Sequence, residues 1–63
     1  MSVNVSHLVK IGELSKSSRL SVKTIRYYED LGLIHAVKRS RGGFRLFEQE
    51  TTLMRLQFIK QAQ

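Results

Sequence analysis

The 63-residue sequence contains no cysteine, which excludes a disulfide framework and a cysteine-based zinc site. It has no apolar run long enough to span a membrane, and its opening stretch, "MSVNVSHLVK", contains no signal-peptide core. A cytoplasmic protein with no membrane partner is therefore expected. A chain of this length forms one domain at most and buries only about 60% of its unfolded surface, so its core is thin.

Side chains that could carry out catalysis are also scarce. The two histidines, His7 and His35, have no cysteine partner and no acidic residue at ligand spacing, so each is expected to be structural or exposed. The serines between residues 15 and 21 stand in polar turns without a nearby base, where capping explains them. The string "RGGF" lacks the Lys-Ser/Thr of a phosphate-binding loop. We expect no enzyme, and no metal or cofactor in this segment.

Positive charge is abundant by contrast. Eleven Lys and Arg against five Asp and Glu leave a net charge of +6 and a pI near 10.4. Eight of the basic residues lie between Lys16 and Arg45, where the only acids are Glu29 and Asp30. The other acids stand near expected helix starts, where the helix dipole favours them. Such a basic band is typical of a protein that binds a polyanion. The alternative is a solvated surface kept for solubility.

Apolar spacing and capping residues predict two short helices. The first covers about 11–17, and a polar break follows it. The second covers about 22–31, with Ser21 as its N-cap and Gly32 in the left-handed position after its end. Two short helices joined by a tight turn form a candidate helix-turn-helix. Residues 1–8 show no such pattern and are expected to be a flexible N-terminal arm.

The rest of the chain is expected to form a hairpin and a third helix. The runs 35–39 and 43–47 favour extended backbone, with a tight reversal at 41–43. Helical spacing resumes over about 51–63 and ends without a cap, which suggests a fragment of a longer chain. The residues expected to pack these elements onto the core are Leu46, one of Phe44 and Phe47, Leu53, Met54, Leu56, Phe58, Ile59 and Ala62.

The second helix has an outward face that could contact nucleic acid. Its core-facing residues are expected to be Val22, Ile25 and Leu31. Lys23 and Arg26 then project near the helix N-terminus, where a recognition helix meets the major groove. Lys and Arg contact base edges or phosphates, and a tyrosine hydroxyl donates to phosphate. The alternative makes these ordinary solvated charges and amphipathic tyrosines, with Tyr28 favoured over Tyr27 for partial burial.

The hairpin is a second basic element. Lys38, Arg39, Arg41 and Arg45 surround two glycines, which allow close approach of the backbone to another surface. The alternative is that these charges only protect a sheet edge against aggregation. A helix-turn-helix followed by a basic hairpin predicts a winged helix-turn-helix, mainly α with a small β hairpin. Its helix would enter the groove, and its wing would contact the flanking backbone.

Three strings in order, "IGELSKSSRLSVKTIRYYEDLGLI", "RSRGGFRLF" and "LMRLQFIKQAQ", resemble the DNA-binding domain of the MerR (mercury-resistance regulator) family over about 9–63. The resemblance implies a homodimer joined by a coiled-coil helix beyond Gln63, bound to a palindromic operator in a promoter spacer. An effector, with a metal ion as the favoured class, would bind the C-terminal part. The dimer would then distort the spacer so that RNA polymerase engages both promoter elements.

Residue by residue, the resemblance implies DNA contacts from Ser21, Lys23, Arg26, Tyr27, Tyr28, Arg39, Gly43, Phe44 and Arg45. The three arginines would hold phosphates, and Lys23 would read bases. Arg19 stands where the family usually has a turn glycine, which implies a looser turn or an added phosphate contact. Phe44 replaces a wing tyrosine and so loses a hydroxyl contact. His35 and Ala36 replace two prolines and make the entry to the wing less rigid.

Other classes of function remain open at this point. A stand-alone DNA-architectural module, similar to phage excisionases, would bend DNA without an effector domain. A protein-binding winged helix would dock an acidic partner through its wing. The dependence of duplex affinity on salt separates the last class from the others, because each neutralised phosphate releases counterions. The sequence leaves open whether the protein activates or represses transcription.

Overall fold

The computed structural model describes residues 7–62, which form six elements. Among these residues no helix has the length and apolar character needed to cross a membrane. The elements are β1 (Leu8–Val9), α1 (Ile11–Ser18), α2 (Val22–Asp30), β2 (Lys38–Arg39), β3 (Arg45–Glu48) and α3 (Gln49–Ala62). Two helices, a hairpin and a third helix follow in the predicted order. The fold is the predicted winged helix-turn-helix, in which β2, β3 and the turn between them form the wing.

The second helix begins and ends at the predicted signals. The Ser21 hydroxyl accepts a hydrogen bond from the Thr24 backbone N–H at 3.0 Å, as an N-cap does. At the other end Gly32 adopts a left-handed φ of 79°. Its N–H donates to the Glu29 carbonyl at 2.9 Å, and the Leu33 N–H donates to the Tyr28 carbonyl at 3.0 Å. These two bonds make a Schellman motif, which ends α2 sharply before the wing.

The turn between α1 and α2 is closed by hydrogen bonds, although arginine occupies its left-handed position. Arg19 has a φ of 66°, and its N–H donates to the Ser15 carbonyl at 2.9 Å. The Ser15 hydroxyl donates to the Leu20 carbonyl at 2.6 Å, and the Leu20 N–H donates to the Ser18 hydroxyl at 3.1 Å. The expected looser turn is therefore wrong, because two serines hold a backbone that a glycine would adopt without strain.

The sheet has one strand more than the sequence predicts. β3 lies between β1 and β2 and pairs antiparallel with both, with Leu8 opposite Glu48 and Arg39 opposite Arg45. Leu8 was assigned to the N-terminal arm, but its pairing shows otherwise; residues 1–6 of that arm lie outside the described residues. A two-residue strand has no visible periodicity, so only its partner reveals it. β2 and β3 are also shorter than the predicted runs 35–39 and 43–47 at their starts, although the Val37 N–H still donates to the Leu46 carbonyl at 2.8 Å.

The core lies between the three helices and the inner face of β3. It consists of Leu14, Ile25, Tyr28, Ile34, Phe47 and Leu56, all buried. Phe47 rather than Phe44 is the aromatic that packs the hairpin onto the helices, since Phe47 is fully buried and Phe44 is exposed. Burying such a side chain contributes about 1.5–3 kcal/mol. Because the core is so small, each member accounts for a large part of the stability.

The third helix buries only a narrow stripe. Thr52 and Leu56, one turn apart, are its buried residues, with Leu53 and Ile59 partly buried beside them. Four residues assigned to the core by the sequence are exposed: Leu31, Met54, Phe58 and Ala62. Apolar character could not distinguish them, because the side from which α3 meets the core depends on packing. The helix starts at Gln49, two residues before the predicted start, because the Glu48 carboxylate accepts from the Thr51 N–H at 2.8 Å.

Candidate nucleic-acid interface

The exposed face of α2 carries cationic and hydrogen-bonding side chains. Lys23, Arg26 and Tyr27 are exposed and stand at i, i+3 and i+4, so they share one side of the helix. Ser21 lies exposed at the N-cap, next to Lys23. Ile25 and Tyr28 are buried on the opposite side, which fixes the rotation of the helix. The predicted outward face of α2 is therefore the observed one.

The structure separates the roles of the adjacent tyrosines. Tyr27 has 58% of its surface exposed, whereas Tyr28 has 5% and belongs to the core cluster. Their ring centroids are 6.0 Å apart, with the ring planes inclined at 47°. Tyr28 was included among the expected DNA contacts; its ring packs in the core, and a contact through its hydroxyl stays a prediction. Tyr27 is the member of the pair that presents its ring at the surface, where its hydroxyl can reach a ligand.

Residues from α2, the wing and the N-terminus of α1 meet at one cleft. This cleft, called the basic cleft below, has a volume of about 280 Å³ and is lined by Lys10, Arg26, Arg39, Gly43, Phe44 and Arg45, with Ile11 and Phe47 behind them. No acidic side chain lines it. Five of the nine predicted contact residues thus lie together, although they are up to 19 positions apart in sequence. Four cations around one concave surface favour an anionic ligand.

The wing turn orients one of these cations. The Gly43 N–H donates to the Ser40 carbonyl at 2.9 Å, and the Ser40 N–H donates to the Phe44 carbonyl at 2.8 Å. Gly43 has a φ of 89°, a conformation that a side chain strains. The Arg39 guanidinium donates through Nη1 to the Gly43 carbonyl at 2.9 Å. The glycine that the sequence singled out is thus needed for the shape of the turn on which Arg39 rests.

An ion pair joins the wing to α2. Arg45 Nη1 lies 3.0 Å from Glu29 Oε1, with the two side chains 48% and 15% exposed. The pair connects β3 to α2, two elements that the sequence places 16 residues apart. Glu29 is therefore not a solvated acid within a basic band. Its carboxylate is one of the contacts that hold the wing beside α2.

Lys10 is a residue of the cleft that sequence reasoning missed. Its Nζ lies 4.1 Å from the centroid of the Phe44 ring, a cation–π contact between the start of α1 and the wing. Its carbonyl also accepts hydrogen bonds from the Glu13 and Leu14 N–H groups, which begins α1. A lysine directly before the first helix carries no signal of this position. Only the β1–β3 pairing and the fold of the wing bring it to Phe44.

The remaining predicted residues lie outside the basic cleft. Ser21, Lys23 and Tyr27 line no part of it, but they share α2 with Arg26, which does. An α-helix with its side chains is about 10–12 Å in diameter, and the major groove of B-DNA is about 12 Å wide. The arrangement can therefore place α2 in a groove while the cleft faces the phosphates beside it. Within residues 7–62 no group of three or more His, Cys, Asp or Glu side chains could hold a metal ion.

Known proteins are similar in sequence to the part of the chain that contains the basic cleft. The profile described as "MerR family regulatory protein" matches residues 10–47. The mercuric resistance operon regulatory protein of Bacillus cereus is 46% identical over 54 residues, which are 86% of this chain and 40% of that protein. The HTH-type transcriptional regulator ZntR of Escherichia coli (strain K12) is 44% identical over 55 residues, 87% of this chain and 38% of that protein.

A ZntR homolog from Haemophilus influenzae is 51% identical over 51 residues, 81% of this chain and 37% of its own length. The chain thus spans about two fifths of the length of these relatives. The profile match begins at Lys10 and ends at Phe47, so it covers α1, α2 and every residue of the basic cleft. It covers more than half of the chain. The chain belongs to the MerR family of regulatory proteins.

Proposed function

We propose that this chain is the DNA-binding part of a transcriptional regulator. In this proposal α2 lies in the major groove of duplex DNA and the wing contacts the adjacent sugar–phosphate backbone. The observation that carries the proposal is the convergence of Arg26, Arg39 and Arg45 from three separate elements, α2, β2 and β3, on one cleft. The cationic surface is formed by a helix that fits the major groove and by a wing whose turn contains glycine. Such a surface is complementary in charge and shape to a duplex.

The proposal gives a role to Lys10 and to each exposed residue of the predicted contact set. The three arginines of the basic cleft and Lys10 contact phosphates, and the Tyr27 hydroxyl donates to a phosphate oxygen. Lys23, one turn before Tyr27 on the exposed face, reads base edges. Ser21, at the start of α2, lies close to the sugar–phosphate backbone of the DNA. Gly43 and Phe44 bring the wing turn near the duplex. Tyr28 packs its ring in the core and stays a predicted contact through its hydroxyl alone.

Membership of the family supports an extension of the proposal to the whole protein. We infer a homodimer that binds a palindromic operator in the promoter spacer and controls RNA polymerase by distorting the DNA between its half-sites. The names of two relatives mention mercuric resistance and heavy-metal dependence, which supports a metal ion as the effector of this chain too. Relatives that are regulators favour this reading over a stand-alone architectural module. Such a protein would act in the cytoplasm.

The dependence of affinity on salt tests the proposal. Binding of the chain to a fluorescein-labelled duplex of about 20 base pairs, two helical turns, is measured by anisotropy at several salt concentrations. Four phosphates neutralised by Lys10 and the three arginines predict a slope of log K against log salt of about −3.6, since each contributes about −0.9. Arg39→Ala is expected to remove one of these contacts and so make the slope shallower by about 0.9. Duplex affinity that does not change with salt would overturn the proposal and point to an acidic protein partner.

A further inference from the structure

Glu29 stands where an acidic residue opposes DNA binding. It belongs to α2 and contacts Arg45 at the edge of the basic cleft, whose charged lining residues are all cations. A carboxylate beside a phosphate-binding surface repels the ligand, so a solvated acid at this position would lower affinity. Glu29 is instead largely buried and ion-paired with Arg45 at 3.0 Å. The position is therefore explained by its partner rather than by solvent.

The backbone on both sides of this ion pair is well anchored. Tyr28, the residue before Glu29, is buried in the core, and the Glu29 carbonyl takes part in the hydrogen bonds that end α2. On the other side Arg45 pairs with Arg39 across the β2–β3 ladder, and Phe47 of the same strand is fully buried. The carboxylate thus has a defined position from which it holds Arg45, and with it the register partner Arg39, at the cleft.

Arg45 keeps donors for a second anion while it holds Glu29. A guanidinium has five N–H donors in a planar fork, and the described contact with Glu29 uses Nη1. About half of the Arg45 side chain is exposed, and it lines the cleft beside Arg26. The remaining N–H groups can donate to a phosphate in a charge-assisted hydrogen bond. One guanidinium can therefore join the carboxylate and the phosphate in a single chain of contacts.

We propose that Glu29 is a positioning residue of the DNA interface, which holds the Arg45 guanidinium in the basic cleft so that its free N–H groups meet a backbone phosphate. The inference rests on the proposed function and deepens it. It reverses the sign that simple charge counting predicts. Removal of this acid weakens binding, although the net charge of the chain rises by one.

The chain offers a matched control in the next residue. Asp30 is exposed and has no ion-pair partner within residues 7–62, so Asp30→Ala removes the same charge without touching the wing. Glu29→Ala and Asp30→Ala both place alanine, the strongest helix former, near the end of α2. Glu29→Gln serves as a second variant that preserves the side-chain volume. Circular dichroism establishes that each variant keeps the helical content of the wild type.

Two measurements decide the proposal. Anisotropy on the duplex used above is expected to show Asp30→Ala binding as tightly as the wild type or more tightly. Glu29→Ala is expected to bind about two- to fivefold more weakly than Asp30→Ala, with Glu29→Gln changed in the same direction. NMR of the free chain is expected to show a shifted Arg45 Nε–Hε signal and lower heteronuclear NOE values at residues 41–43 in Glu29→Ala only.

The possible failures are distinguishable. If the wild type binds the duplex with a steep salt dependence but Glu29→Ala binds as tightly as Asp30→Ala, the positioning role is wrong and the proposed function stands. The positioning role is equally wrong if Glu29→Ala loses affinity while the Arg45 and wing signals remain those of the wild type. If the wild type shows no binding to the duplex at low salt, the proposed function itself fails.

Discussion

Replacing Arg19 by glycine is expected to stabilise the fold by about 1 kcal/mol. Arg19 adopts a φ of 66°, a left-handed conformation that costs a residue with a Cβ about 1–2 kcal/mol. Part of this gain is offset because glycine has a more flexible unfolded state. The arginine side chain is exposed, so its removal leaves no cavity. The Arg19 N–H bond to the Ser15 carbonyl depends only on the backbone and is retained.

Thermal unfolding followed by circular dichroism measures this effect. In a domain of 60–100 residues about 1 kcal/mol corresponds to a shift in Tm of roughly 4–8 °C. Arg19→Ala is the matched control, because it removes the same side chain but keeps the Cβ that causes the strain. The reasoning predicts a rise in Tm for glycine and no comparable rise for alanine. Equal changes in the two variants, or a fall for glycine, would refute the strain argument.

Two further predictions concern the core and the interface. Phe47→Ala is expected to destabilise the fold by about 3–5 kcal/mol, because this fully buried ring packs β3 onto the helices; urea unfolding measures the loss, and an unchanged midpoint would contradict the packing. Arg26→Ala is expected to weaken binding to operator and scrambled duplexes equally, whereas Lys23→Ala costs about 1–3 kcal/mol at the operator and relaxes base preference. Gel shifts on both duplexes test this pair, and equal losses for Lys23→Ala would make it a phosphate contact.

Features that depend on neighbouring residues in the chain were predictable. The Ser21 cap and the Gly32 termination of α2 follow from backbone chemistry within a few residues, and both were observed. The glycine-containing wing turn belongs to the same class, since Gly43 needs a positive φ. Errors arose where one element meets another. Leu31 and Phe58 have the apolar character of core residues, yet the thin core of this domain does not reach their side of the helices.

The candidate site shows the same division. The basic residues of α2 and the hairpin were evident from charge alone. Because α2 buries Ile25, the side chains of Lys23 and Arg26 must face outward, which the helical spacing also predicts. No pattern in the sequence indicates that Lys10 meets Phe44 or that Glu29 holds Arg45. Both contacts join elements distant in sequence, so their geometry exists only after the sheet has paired. The choice between Tyr27 and Tyr28 likewise waited for the rotation of α2 against the core.

The amino-acid sequence by itself determined the order of the three helices and the wing, the positive charge and the family, because capping, helical spacing and motif order act along the chain. The tertiary structure decided which residues share a surface. It placed three arginines and a lysine around one cleft and buried one tyrosine of an adjacent pair. It also brought the Glu29 carboxylate into an ion pair with Arg45, one of those arginines. These are distances between segments, which depend on how the small core packs and which no local pattern encodes.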